Sequence, residues 1–561
     1  TVSVLYWPAV MGSHLVRILL LRAFSVVLLA AFAVSYNQWH GLLSDSGLTP
    51  VNAFLDRVAT SRSQLPAGER FSVRCLVRDL AIDAGVPPVV VKGIADDVAP
   101  VRCLPLRAFK SVPSLHWLAP RERVDDAAAA MSLLGLAIST AIFLTGACSA
   151  PAMLVVWALY LSLISVGQDW YGFGWESQLC ETAFLIAFAC PMSWTATPRD
   201  GVPTITRWLL RWLIARIMIG AGLIKLRGDE CWRDLTCMNY FYHTQPNPNP
   251  LVDTLHAMPA WYHRLEVLGN HFVEIAAPFY LVLPQPGAAI GAAIQIAFQL
   301  VLISSGNLSF LNWLTLVPAI GGLDDRYLRW MFSRATLARV DAAANDQSSR
   351  GWFGNVRRIV GWVVQIALLA LIASLSQPVI DNLLSQRQAM NTSFDWLRLV
   401  NTYGAFGSVT KDRNEVIVEG KGDDGKWHTY EFLCKPGDID RRPCLITPYH
   451  YRLDWLMWFA AFSDPTRTGW LLQLANRMLD ARTDPAASDA LRGLMATVPF
   501  APPPGATVST ANATALPKGP VAIRMSLWEY ELNGAGKGGR KPMRGRNVEV
   551  GTWWRRRKHS R

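Results

Sequence analysis

Nine runs of apolar residues mark the first 375 positions of this chain: 15–34, 127–146, 153–166, 179–194, 208–226, 272–283, 288–303, 308–322 and 359–375. A helix needs about 20 apolar residues to cross the hydrocarbon of a bilayer, fewer where it packs inside a bundle or meets thinned lipid. The runs therefore predict membrane helices. Three short ones, 153–166, 272–283 and 308–322, either cross or stay buried as re-entrant segments. The first run has Arg17 and Arg22 near its start and no small-residue cleavage site, so residues 1–34 read as a signal anchor.

After residue 376 the pattern shortens. Glu-Val-Ile-Val-Glu at 415–419 and the run 429–433 are strand-like and flank the turn-forming Gly-Asp-Asp-Gly of 422–425. Residues 522–532 alternate in the same way, 451–479 read as helical, 501–520 as a loop rich in Pro and Ala, and the Gly-rich 534–546 as flexible. The predicted fold is a mostly α, multi-pass transmembrane helix bundle with a C-terminal soluble lumenal domain containing β-strands.

Charge orients the bundle. The short connection 323–358 holds Arg326, Arg329, Arg334, Arg339, Arg350, Arg357 and Arg358 against fewer acids, which marks it as cytosolic. Counting through nine spans puts the N-terminus in the cytosol and the loops 35–126 and 227–271 in the lumen. The bundle then occupies 127–375, the lumenal domain 376–533 and a basic tail 534–561, which is either a flexible tail or a rim of that domain. Arg199, Arg207 and Arg211 fall on the cytosolic side, as the rule requires. Composition agrees with a membrane setting: 51% of the 561 residues are hydrophobic and only 17% charged. The net charge of +12 sits largely beside apolar runs, which argues against a nucleic-acid partner.

Disulfides persist in the lumen and are rare in the cytosol. Cys75 with Cys103, Cys231 with Cys237, and Cys434 with Cys444 each share one expected lumenal region, whereas Cys148, Cys180 and Cys190 lie in or beside spans. Free buried thiols are the alternative to these pairings. The sequons at Asn391 and Asn512 suit a lumenal tail; the one at Asn307 abuts the membrane and is expected to go unused.

Catalytic signatures are missing. There is no Gly-x-Ser-x-Gly elbow, His-Glu-x-x-His pair, Cys-x-x-Cys or phosphate loop, so neither lipase chemistry nor a metal or cofactor site is expected. An intramembrane polar cluster is more informative. Glu266, Asn270 and Glu274 recur every four residues on one helical face beside His271, with Lys225, Arg227, Glu176 and Glu181 as candidate partners. Such a cluster either handles protons or a ligand, or holds helices together.

Several stretches are too long and unusual to be generic. Residues 222–237 read Gly-Leu-Ile-Lys-Leu-Arg-Gly-Asp-Glu-Cys-Trp-Arg-Asp-Leu-Thr-Cys, followed at 240–248 by Tyr-Phe-Tyr-His-Thr-Gln-Pro-Asn-Pro. Further on stand Asn-His-Phe-Val-Glu at 270–274, Ser-Ser-Gly-Asn-Leu-Ser-Phe-Leu-Asn-Trp-Leu-Thr at 304–315, and Val-Asn-Thr-Tyr-Gly-Ala-Phe-Gly at 400–407. Arg-Arg-Pro-Cys at 441–444 and Pro-Tyr-His-Tyr-Arg-Leu-Asp-Trp at 448–455 complete the set. With these the chain resembles the lipase maturation factor family from about Tyr36 to Trp553-Trp554-Arg555-Arg556; residues 81–101 depart from the family pattern.

The resemblance implies a non-enzymatic endoplasmic-reticulum membrane factor that helps secreted lipases of the lipoprotein-lipase type fold, mature and leave. Its partners would be those lipases, the lipid bilayer, and lumenal chaperones or thiol oxidoreductases. Trp232, Tyr240, Tyr242, His243, Tyr403, Phe406, Tyr449 and Trp455 are the candidates for organising the lumenal, client-facing surface; holding the domain together is the competing role for the same residues. A second, more distant likeness runs from Ala221 to Leu226 and Trp232. There the chain looks like the transmembrane part of vitamin K-dependent carboxylases, a likeness that would make Lys225 a base.

Overall fold

A computed structural model describes residues 13–63, 106–195, 201–345, 352–464, 468–500, 520–533, 543 and 547–559. Cys75, Cys103, Asn512, residues 81–101 and nearly all of 534–546 lie outside the described residues.

Among the described residues four helices are long and apolar enough to cross a membrane: His14–Leu42, Arg121–Thr145, Gly287–Ser305 and Asn355–Leu384. Ala150–Val166 and Leu311–Gly322 are shorter apolar helices. The run at 208–226 forms the helix Thr204–Arg227, which also carries Arg207, Arg211, Arg216 and Lys225. The run at 179–194 yields only Gly174–Ala187. The run at 272–283 is no regular span: the helix Ala260–His271 loosens into a π turn at Phe272–Ala276 and tightens into a 3-10 turn at Ala277–Val282. Pro278 lacks the N–H that a regular ladder needs there.

Small residues set the closest approach in the bundle. A side chain on Gly135 would collide with the Phe32 ring, and Ser132 Oγ meets Ser35 Oγ at 3.3 Å on the same face. Gly146 ends the second long helix at φ 63°, in the left-handed region that glycine tolerates, and Ser149 caps the next by accepting from the Ala152 N–H.

Contacts sort the connections onto two ends. At one end His14 N and Val16 N donate to the Asp325 carboxylate at 2.9 and 3.0 Å, Arg17 Nε to Ala189 O at 2.7 Å, and Arg207 to Asp324 at 2.8 Å. At the other, Trp39 Nε1 donates to Asp125 at 2.8 Å, Trp170 Nε1 to Thr49 Oγ1 at 2.7 Å, and Asn307 Nδ2 to Cys444 O at 2.7 Å. Residues 14–17, 189, 207 and 324–325 thus share one end, and 39, 49, 125, 170, 307 and 444 the other.

The second end carries a six-stranded antiparallel sheet of order β3-β2-β1-β4-β6-β5. Its strands are β1 (Arg413–Lys421), β2 (Trp427–Phe432), β3 (Met495–Thr497), β4 (Ala522–Leu532), β5 (Val548–Val550) and β6 (Trp554–Lys558). The strand expectations at 415–419, 429–433 and 522–532 fall on β1, β2 and β4. Of the two readings of 534–561, a rim of the domain fits its far part: β6 pairs with β4 from Trp528↔Lys558 to Leu532↔Trp554, so residues 548–558 are part of the sheet. Trp554 is buried there, while Arg556 and Arg557 bind Glu549 and Glu529, each at 2.6 Å. The helical expectation at 451–479 resolves into Arg452–Ala460 and Gly469–Asp480.

Candidate functional site

A buried ion pair and a set of buried hydrogen bonds join the sheet domain to the bundle. Glu181, inside Gly174–Ala187, accepts from Tyr403 Oη at 2.6 Å and from Asn401 N and Nδ2 at 3.1 and 3.0 Å, and pairs with Arg216. Arg216 Nη1 also donates to Asn401 O at 2.9 Å. Glu176 pairs with Arg452 at 2.7 Å, both side chains fully buried. Unpaired charge at such depth would be costly, so each acid is matched by a cation and by hydrogen-bond donors. Glu176 and Glu181 are therefore not partners of Lys225, as the sequence had suggested. Arg227 also turns away, donating to Leu383 O at 2.9 Å and Gln388 Oε1 at 2.8 Å.

Beside these pairs lies a chamber of about 1540 Å³, walled by the Thr204–Arg227 and Gly287–Ser305 helices, the loop after Arg227, residues 403–410 and the Arg452–Ala460 helix. The intramembrane polar cluster splits across it. Lys225 pairs with Glu274, whose other oxygen accepts from Asn270 Nδ2 at 2.8 Å; the Lys225 ammonium also lies 5.2 Å from the Trp232 ring centre. Lys225 is thus engaged by an acid. Glu266 belongs to a different group, taking Tyr242 Oη at 2.5 Å and His263 Nδ1 at 2.8 Å, while His271 Nε2 meets Trp232 O at 3.0 Å. Burial and hydrogen bonding to Glu266 raise the Tyr242 phenol above its ordinary value.

The candidate client-facing residues are mostly interior. Trp232, Tyr242, His243, Tyr403 and Trp455 are buried; Tyr240, Phe406 and Tyr449 are half-buried. Trp232 Nε1 donates to Phe406 O at 2.8 Å, and the Phe406 ring meets Phe241 with centres 5.2 Å apart. Trp455 packs edge-on against Trp175 at 5.1 Å, the His243 and His256 rings are tilted against each other at 4.5 Å, and Lys411 Nζ approaches the Tyr240 ring at 5.8 Å. Tyr449 Oη accepts from Asn37 at 3.3 Å and Gln38 at 3.4 Å. Aromatic rings bury large apolar areas, so in one sequence a packing set and a docking set look alike. Trp232, Tyr242, Tyr403, Phe406 and Trp455 line the chamber.

Cys231 is bonded to Cys237 and Cys434 to Cys444, both at the sheet-domain end; Cys148, Cys180 and Cys190 are free. Asn391 is exposed. Asn307 is buried and spent: its amide binds Cys444 O and its carbonyl accepts from Ile446 N at 3.0 Å. Among the described residues no group of three His, Cys, Asp or Glu side chains could hold a metal ion.

Sequence reasoning missed the Arg413, Glu415 and Lys435 triad, fully buried in the sheet domain. Arg413 also donates to the carbonyls of His243, Gln245 and Pro246, fixing the Pro-rich loop over the chamber. Its only signal was two opposite charges two residues apart in a strand, on one face of the sheet.

These features define a polytopic membrane helix bundle with a disulfide-bonded sheet domain built onto one end. Residues 15–73 and 70–330 match the lipase maturation factor transmembrane domain, and 399–561 the lipase maturation factor C-terminal domain. The chain is 45% identical to lipase maturation factor 1 of Bos taurus, over 83% of this chain and 78% of that one. It is 41% identical to lipase maturation factor 1 of Homo sapiens, over 97% and 86%. Lipase maturation factor 2 of Xenopus tropicalis is 28% identical over 80% and 74%. The chain belongs to the lipase maturation factor family. No solved structure matches it.

Proposed function

We propose that this protein is an endoplasmic-reticulum membrane factor that assists the folding, maturation and export of secreted lipases, with its N-terminus cytosolic and its sheet domain in the lumen. The observation that carries this reading is the seam between the two halves. Glu176 with Arg452, and Glu181 with Asn401 and Tyr403, bind the two family domains into one body, so a client held by the lumenal domain is held at the membrane. Two disulfides at the same end fit an oxidising compartment, and the Arg-rich 323–358 connection fits the cytosolic face. The clients would be lipases of the lipoprotein-lipase type, assisted by lumenal chaperones or thiol oxidoreductases. Assisting a fold needs surfaces, not a reacting group, which is the reading of this protein as a non-enzyme.

The test is secretion of active lipase from cells lacking this protein. Wild type is expected to restore it, and Cys231→Ser/Cys237→Ser is not, because that loop carries Trp232 against Phe406. Active lipase leaving the depleted cells at normal levels would sink the proposal.

A further inference from the structure

The end of the bundle that carries Arg207 and Asp325 presents positive charge that the helix packing does not use. The connection from the Leu311–Gly322 helix to the Asn355–Leu384 span begins at Asp324 and Asp325, whose carboxylates are spent on Arg207 and on the His14 and Val16 N–H groups. The helix Arg334–Asn345 then packs inward by Val340, which is buried, and by the half-buried Leu337, and leaves Arg334, Ala335, Ala338, Arg339 and Ala342 exposed. Arg329 binds the Asp341 carboxylate at 2.9 and 3.0 Å. Arg326, Arg334, Arg339 and Arg358 are exposed and make no ion pair among the described residues.

Exposed indoles stand among these arginines. Trp330 is 83% exposed and Trp352 76%. Trp194, five residues past the Ala189 carbonyl that holds Arg17, and Trp208, next to Arg207, are exposed at the same end. Tryptophan gathers at the headgroup level of a bilayer, where its ring meets acyl chains and its N–H meets water, and the guanidinium fork suits phosphate oxygens at the same depth. Val356, Ile359, Val360 and Val363 are exposed on the turns that carry Arg357 and Arg358, so hydrocarbon begins where those cations stand.

We infer that residues 326–339 and Arg358 form a binding surface for anionic phospholipid headgroups of the phosphatidylserine type. The unanswered arginines set the sign of the partner, and the indoles and valine turns beside them set its class. Arginine in excess would orient the chain during insertion without any folded surface, whereas here a helix seated by Val340 holds Arg334 and Arg339 outward in the finished protein. A soluble acidic polypeptide is the competing occupant. It would answer the charge but leave Trp330, Trp352 and the valine turns in water. That these lipids belong to the cytosolic leaflet rests on the orientation proposed above; the preference for negative headgroups does not.

The test places the full-length protein in phosphatidylcholine nanodiscs containing a minority of phosphatidylserine, with a trace of either lipid spin-labelled on an acyl chain. The motionally restricted fraction in the electron spin resonance spectrum gives the relative association of the two lipids. Wild type is expected to prefer phosphatidylserine about threefold or more at low ionic strength and to lose the preference in high salt, where the charges are screened. Arg334→Gln/Arg339→Gln/Arg358→Gln changes exposed side chains only and is expected to abolish the preference at unchanged melting temperature, while the matching Lys variant keeps most of it. No preference in wild type, or an equal preference in wild type and in the folded Gln variant, overturns the inference. So does loss of the preference on adding inorganic phosphate or a polyglutamate peptide at matched ionic strength, which would assign the surface to a soluble anion. Both leaflets of a nanodisc have the same composition, so the result is independent of which face is cytosolic and of whether lipases are the clients, which the secretion assay reads separately.

Discussion

Arg452 and Glu176, 276 residues apart in sequence, meet through Nη1 and Oε1 at 2.7 Å with neither side chain exposed. The guanidinium also donates to Trp170 O at 2.6 Å and lies 3.5 Å from the Tyr171 ring centre, while Glu176 accepts from Trp175 Nε1 at 3.0 Å and from Tyr160. This is the point where the domain's first helix is fastened to the bundle. Removing one partner strands the other as an uncompensated buried charge, which costs about 3–5 kcal/mol, whereas removing both charges is far milder. Arg452→Ala is therefore expected to lower the melting temperature sharply in detergent, and Arg452→Met/Glu176→Gln to recover most of the loss. Additive effects in this cycle would show that the pair does not couple the two halves.

The adjoining Asp454 makes the domain sensitive to pH. Its carboxylate accepts from Cys434 N at 2.5 Å and Lys435 N at 2.9 Å, yet burial dominates and raises its pKa from 3.8 to about 6. The folded state then holds this proton more tightly than the unfolded state between pH 4 and 6. Stability from this group is greatest below pH 4 and is lost as pH rises through 6, a difference of about 3 kcal/mol. His450, buried beside Arg452, is held well below its ordinary value and acts in the opposite sense. The difference between wild type and Asp454→Asn isolates the carboxylate. From pH 4 to about 6 the wild-type melting temperature should fall relative to that of Asp454→Asn, and above about 6 the two should run parallel; curves parallel over the whole range from pH 4 to 7.5 would refute the assignment.

Trp554 tests whether the end of the chain is tail or sheet. It is 1% exposed, opposite Leu532 in the β4–β6 register, and shares a cluster with Phe241, Tyr242 and Tyr530. Truncating a buried Trp to Ala costs about 3–5 kcal/mol, against about 0.5 kcal/mol or less for a residue in a free tail. Trp554→Ala is expected to destabilise the sheet domain by the larger amount, read as faster proteolysis of the full chain. Proteolysis at the wild-type rate would return these residues to the tail.

What the chain's pattern disclosed follows from how local each signal is. The apolar runs and the alternation in β1, β2 and β4 are properties of neighbouring residues; the three strands appear where expected, and the runs mostly become helices, with 179–194 only partly helical and 272–283 irregular. In β6 the alternation was masked by Arg555, Arg556 and Arg557, whose charge suggests solvent although acids on β4 and β5 answer it. The spacing of Glu266, Asn270 and Glu274 placed them on one face, but the π turn from Phe272 and the nearness of Tyr242 and His263 divided them into two groups. Pairings such as Glu181 with Arg216 and Tyr403 depend on the tertiary fold. No periodicity in a single sequence marks them.

Lys225 and Glu274 decide between a reacting lysine and a structural one. Lys225 sits on the Thr204–Arg227 helix and Glu274 in the π turn, so their pair ties a regular helix to an irregular one at the chamber wall. Lys225→Ala alone cannot separate the readings, since it leaves Glu274 buried without its cation and costs about 3–5 kcal/mol in either case. Lys225→Met with Glu274→Gln removes both charges at similar volume, and Asn270 can still donate to the new amide. If Lys225 is a brace, the double variant is expected to restore lipase secretion to within about twofold of wild type, a difference under ~0.5 kcal/mol, while Lys225→Ala fails and accumulates less protein. If the double variant is as abundant as wild type yet restores no active lipase, the amine itself is required, and the likeness to carboxylases becomes the reading to pursue.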